Sequence, residues 1–118
     1  MRKVFGFLCI LSLASTAHAF SDDAVFSCRS SAFYALKDNV LRQLDNADAF
    51  TVKLDGGKAV FDNGDFFQKS EMDIIFNLND GLETRTISSH FKLGEGEFWY
   101  ALATYGYAIM GQGYCTEL

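Results

Sequence analysis

Phe98-Trp99-Tyr100-Ala101-Leu102-Ala103-Thr104-Tyr105-Gly106-Tyr107-Ala108-Ile109-Met110-Gly111-Gln112-Gly113-Tyr114-Cys115-Thr116 is the stretch on which the fold turns. Its nineteen residues carry no charge, and they hold the chain's only tryptophan and four of its five tyrosines. A membrane-spanning helix needs about 20 mostly apolar residues. Here, however, tyrosine hydroxyls and the Gln112 amide are scattered through the run. Gly106, Gly111 and Gly113 each weaken a helix by about 1 kcal/mol relative to alanine. Aromatic and β-competent, the run reads instead as two central strands meeting near Gly106, where a bulge is expected to switch the parity. Trp99, Ala101, Ala103 and Tyr105 share the face ahead of it.

Working back from this run, Phe91 to Leu93 enters it through Gly94-Glu95-Gly96. With Glu95-Gly96 as a hairpin loop, Leu93 faces Phe98 and Phe91 faces Tyr100. Met72, Ile74, Phe76 and Leu78 alternate with Asp73, Ile75 and Asn77, and a three-residue loop Asn79-Asp80-Gly81 pairs Leu78 with Leu82. The return segment Glu83 to Ser89 is polar and threonine-bearing, the composition of an edge or a half-exposed strand. Phe50 to Leu54 alternates, Asp55-Gly56-Gly57-Lys58 is a tight turn, and Ala59 to Phe61 returns, so Leu54 faces Ala59 and Val52 faces Phe61. Asp62-Asn63-Gly64-Asp65 is a second turn, followed by a short segment at Phe66-Phe67.

The stretch from Phe26 to Ala47 supports two readings. As a strand, Phe26, Cys28, Ala32, Tyr34 and Leu36 fall on one face with Ser30 as the exception. As a helix, Phe33, Leu36, Val40, Leu44 and Ala47 step by three and four. A strand to about Leu36, a turn at Lys37-Asp38-Asn39 and a short helix from Val40 to Asn46 is the preferred version, and a longer helix from Ser31 to Ala47 is the alternative. No proline, no repeat and closely spaced turn signals then make one antiparallel β-domain, a small barrel or sandwich with one short helix.

The first residues read as a secretory leader. Arg2 and Lys3 precede the apolar core Val4 to Leu13, and Ala17-His18-Ala19 fits a cleavage site, so the mature chain is expected to start at Phe20 in the periplasm or outside the cell. Cys9 leaves with this segment. Cys28 and Cys115 remain, and in an oxidising compartment they are expected to form one disulfide. Without residues 1–19 the balance is 8 basic against 15 acidic residues, a net of −7. That charge disfavours nucleic acid and anionic membrane surfaces.

Catalytic chemistry finds few candidates. His90 is the lone histidine beyond the leader, and on a strand it points away from Ser89. Bridged cysteines supply neither a thiolate nor zinc ligands, so no metal or cofactor is expected. The carboxylate pairs, Asp45 with Asp48, Asp62 with Asp65 and Glu95 with Glu97, sit in turns, where Asp is favoured for backbone reasons. Sixteen of the 99 mature residues are Phe, Tyr or Trp. Trp99, Tyr105 and Tyr107 are the candidate recognition residues, should they stand on an open face rather than in the core.

Ser88-Ser89-His90-Phe91 followed by Phe98-Trp99, with Cys28 near the mature start and Cys115 near the end, resembles the small periplasmic lysozyme inhibitors of the membrane-associated kind. Those are compact β-barrels with a Ser-Gly-x-x-Tyr inhibitory loop upstream of a Phe-Trp pair. The resemblance covers roughly a quarter of the mature chain. Ser89 is not followed by glycine, Phe91 replaces the tyrosine, and a longer stretch precedes the motif. Inhibition is accordingly one form of the expected function, a non-enzymatic domain that binds a protein, peptide or small ligand. The alternatives are a small hydrolase using carboxylates or His90, and a structural or assembly subunit with an edge at Glu83 to Ser89.

Overall fold

Tight turns set most of the registers. In the computed structural model, which describes residues 19–44, 48–64, 67, 69–78 and 81–118, Gly56 (φ 57°) and Gly57 (φ 86°) join Asp55 to Lys58. Glu95 (φ 53°) and Gly96 (φ 81°) join Gly94 to Glu97. Left-handed residues at both turn positions give the twist that flanking strands require. The expected pairs follow: Leu54 with Ala59, Val52 with Phe61, Leu93 with Phe98 and Phe91 with Tyr100. The leader, except Ala19, lies outside the described residues, as do Phe66, Asp45, Asp65 and the loop residues Asn79 and Asp80.

The strands are β1 (Val25–Lys37), β2 (Val40–Leu44), β3 (Ala49–Asp55), β4 (Lys58–Asp62), β5 (Ser70–Leu78), β6 (Gly81–Arg85), β7 (Ser89–Gly94), β8 (Glu97–Thr104) and β9 (Tyr107–Glu117). Each pairs antiparallel with its neighbour, and β1 also pairs with β9. Strand β1 with β3 to β9 therefore closes into an eight-stranded barrel, with β2 as one extra strand. Cys28 and Cys115 face each other across the closing seam between β1 and β9 and are disulfide-bonded. That bond is compatible with an oxidising compartment. Among the described residues no helix is long and apolar enough to cross a membrane.

The barrel is filled by rings. Phe26, Phe33, Phe50, Phe61, Phe67, Phe91 and Phe98 are buried with Val52, Leu54, Met72 and Leu82. Phe61 meets Phe91 edge-on at 4.9 Å, and Phe91 stacks on Phe98 at 5.3 Å. Phe67, between β4 and β5, closes one end by reaching Phe50 at 4.4 Å and Tyr100 at 4.9 Å. Gly111 makes room for this filling, since a Cβ there would collide with the Phe33 ring.

Five expectations are corrected. Val40–Leu44 is strand β2 and not the start of a helix, because Asp38 (φ 53°) and Asn39 (φ 65°) turn the chain straight back onto β1. Strand β3 reaches only Val25 to Arg29, so β2 supplies partners for Phe33 to Lys37 of that β1 edge. The helix alternative from Ser31 fails with it, its last residues 45–47 lying outside the described residues. The register of β1 against β9 shifts between Ser30 and Ala32. Phe26, Cys28 and Ser30 point inward, and after the shift Phe33 does, while Ala32, Tyr34 and Leu36 turn outward. Ser30 explains the exception in its strand pattern, because its Oγ accepts a hydrogen bond from the Asp48 amide at 2.7 Å.

A second shift between Ile74 and Phe76 puts Phe76 on the outer face opposite Glu83. Leu78 then pairs with Gly81, and Asn77 with Leu82. The Asn77 amide meanwhile bonds the Phe20 backbone on both its amide and carbonyl at 3.0 Å. Strand β6 is paired on both sides, so of the two readings of this segment the edge fails and the half-exposed strand holds, with Leu82 and Thr84 buried and Arg85 exposed. Gly106 (φ 95°) is a corner residue of the two-residue turn between Thr104 and Tyr107, not a bulge.

Candidate binding face

Alternation along antiparallel strands lines outward side chains into rows across the barrel wall. One row runs Ala32, Gln112, Trp99, Lys92, Glu83 over β1, β9, β8, β7 and β6. The next runs Tyr34, Met110, Ala101, His90, Arg85, and a third holds Leu36, Ala108 and Ala103. Small residues at Ala32 and Ala101, with the bare backbone of Gly111, leave a dent of about 400 Å³ between them. Trp99, Tyr34 and Met110 are its walls, 44%, 41% and 65% exposed. A second hollow of about 430 Å³ shares His90, Ala101 and Met110 and continues over Ala103 and Ala108 to Ile87. The two form one groove along β8 and β9, with large apolar side chains beside an alanine floor.

Its β6 and β7 side is polar. His90 Nε2 lies 2.7 Å from Glu83 Oε2, and Lys92 Nζ lies 4.0 Å from Glu83 Oε1. Arg85 is exposed at the same wall, and Asp73, its neighbour across β5, is bonded to Lys58 at 2.8 Å.

The barrel mouth is a separate feature. Tyr100 is 6% exposed, and burial pushes its phenol up to about 12, against the opposing effect of a hydrogen bond with the Ser89 hydroxyl. Beside it a cleft of about 540 Å³ runs between Leu102, Ile109 and Tyr107 on one side and Ser70, Thr86 and Ser89 on the other. Thr86 Oγ1 accepts from the amides of Ser88 and Ser89 at 3.2 and 3.1 Å and so fixes the turn between β6 and β7.

The three aromatic candidates do not form one patch. Trp99 stands on the outer wall, Tyr105 is fully exposed in the β8–β9 turn, and Tyr107 faces the mouth opposite Lys37 and Thr104. Tyr34 and Met110 join Trp99 in their place. Tyr34 escapes a reading by simple alternation because the β1 shift reverses its face, and Met110 lacked a register until β8 and β9 were paired. His90 and Ser89 do point to opposite sides, one to Glu83 and the other to Tyr100. Phe91, which stands for the tyrosine in the inhibitor-like motif, is fully buried in the core. Among the described residues no group of three or more His, Cys, Asp or Glu side chains is arranged to hold a metal. Compared with protein-family models, curated proteins and solved structures, the chain matches none.

Proposed function

We propose that this protein is a non-enzymatic binding module of the periplasm or the extracellular space that holds a protein or peptide on its Trp99 face. The observation that carries this reading is the half-exposed Trp99 beside Tyr34 and Met110 over an alanine and glycine floor. Soluble domains rarely leave large contiguous apolar surface in water without a use for it. Tryptophan and tyrosine are also the side chains that most often dominate binding energy. The ring-filled barrel favours a partner on the wall over a small ligand in the lumen. The Cys28–Cys115 bond and the leader-like residues 1–19 support the compartment.

Immobilised wild-type protein and Trp99→Ala, incubated with envelope extract, test the reading. Species held by wild type and lost from the variant are the expected result. Retention of the same species by both proteins removes the Trp99 face from the function. One observation favours assembly as a second reading: among the described residues β2 is paired only to β1, leaving its other edge from Val40 to Leu44 open. Strictly monomeric sedimentation at high concentration would end that reading.

A further inference from the structure

The charge around the groove points to a particular class of partner. On β8, β9 and β1 the outward residues that line it, among them Trp99, Ala101, Met110, Gln112, Ala32 and Tyr34, are uncharged, the acid Glu97 lying one outward step beyond Trp99 on β8. On the opposite wall stand Arg85, His90 and Lys92. Glu83 is the acid among them, lying 2.7 Å from His90 and 4.0 Å from Lys92. Asp73, the acid beyond Arg85, is likewise bonded to Lys58. Arg85 and Lys92 against Glu83 leave this wall one formal positive charge beside an apolar floor, in a chain of net charge −5.

We infer that the groove takes an extended acidic peptide segment in which large apolar side chains alternate with carboxylates. This rests on the binding reading given above and names the partner's chemistry. The three rows of the groove are spaced two residues apart along the strands, about 7 Å each. An extended chain laid along β8 and β9 has the same period. Lying edge-on over the Ala101 and Ala103 floor, such a chain turns its apolar side chains toward Met110 and Tyr34 on one side and the alternating carboxylates toward Lys92 and Arg85 on the other. Opposite charge at such a rim selects the partner and speeds its arrival more than it adds affinity.

Trp99 is the only tryptophan, so its emission reports on this site alone. Three blocked hexapeptides, alternating leucine with aspartate, with serine or with lysine, are titrated against the intact protein at low and at physiological salt. The leucine–aspartate peptide is expected to shift Trp99 emission and to bind about tenfold more tightly than the serine peptide. Its advantage should shrink with salt and vanish in Arg85→Glu/Lys92→Glu. Both substituted residues are exposed, so circular dichroism should be unchanged. Equal binding of all three peptides overturns the acidic preference and leaves Trp99 as a docking site. Tighter binding of the lysine peptide overturns it as well. If no peptide moves Trp99 emission while envelope species are still retained through Trp99, the extended-peptide inference fails and the binding reading survives. If those species are not retained either, both fail.

Discussion

The barrel body and the lip at its mouth are made from the same strands and differ in what lies across from them. In the body, β1 sends Phe26 and Cys28 inward against Phe50 and Val52 of β3, and each is nearly fully buried. Further along the same strand, paired to β2 instead of β3, Tyr34 and Leu36 are 41% and 47% exposed. Val40 and Leu41 of β2 are more exposed still. Strand β1 has partners in both regions, so a strand continues wherever a neighbour satisfies its amides and carbonyls. Burial depends on the face as well: Tyr34 and Leu36 turn outward after the shift in β1, whereas Phe33, paired to Leu44 of β2, points inward and is buried. Outward apolar side chains are therefore available to a partner in a way that inward ones are not.

Core truncation should sharpen this contrast most. Phe91→Ala is expected to cost about 3–5 kcal/mol, a large part of the 5–15 kcal/mol typical of a domain, read as a fall in denaturant midpoint with unchanged slope. Opening the seam comes next. Cys28→Ala/Cys115→Ala should lose about 2–5 kcal/mol, and an unchanged midpoint would mean that the β1–β9 seam holds without its bond.

Tyr100 gives an intermediate, pH-dependent effect at the boundary between the two regions. The folded phenol stays protonated up to about 12, whereas in the unfolded chain it ionises near 10.0. Between these values the unfolded state has released a proton that the folded state keeps, so stability falls as pH rises. Below pH 10 this loss is absent. Melting temperatures of wild type and Tyr100→Phe should keep a constant difference below that value and shift relative to each other only above it, where wild type loses ground, and parallel curves throughout would place the phenol in water.

The smallest effects belong to the lip and the outer wall. Leu41→Ser and Trp99→Ala should each change stability by no more than about 0.5 kcal/mol, while Trp99→Ala abolishes partner retention. A loss of several kcal/mol in either would assign that residue to the core.

What could be read from the residues was whatever short-range turn chemistry controls. Gly56-Gly57 and Glu95-Gly96 fix four core pairs because two-residue hairpins allow one register. The uncharged run was legible as two strands, with Trp99 on the face opposite Phe98 and Tyr100. Which face would be covered was not, since that depends on β1 meeting β9, a pairing about eighty residues apart in sequence. The shifts after Ser30 and after Ile74 were equally hidden. Each is a response to barrel closure, and no single residue at either site signals it. Val40 and Leu44 mimicked a helical step because spacing by four suits helix and strand alike.

Acrylamide quenching of tryptophan fluorescence in the free, folded protein is the most direct measurement, since one side chain produces the whole signal. Red-shifted emission, quenched about half as readily as in the unfolded chain or more, is expected for a half-exposed Trp99 on the outer wall. Blue-shifted emission that resists quenching until the protein unfolds would put Trp99 in the interior and contradict the barrel register and the binding face together.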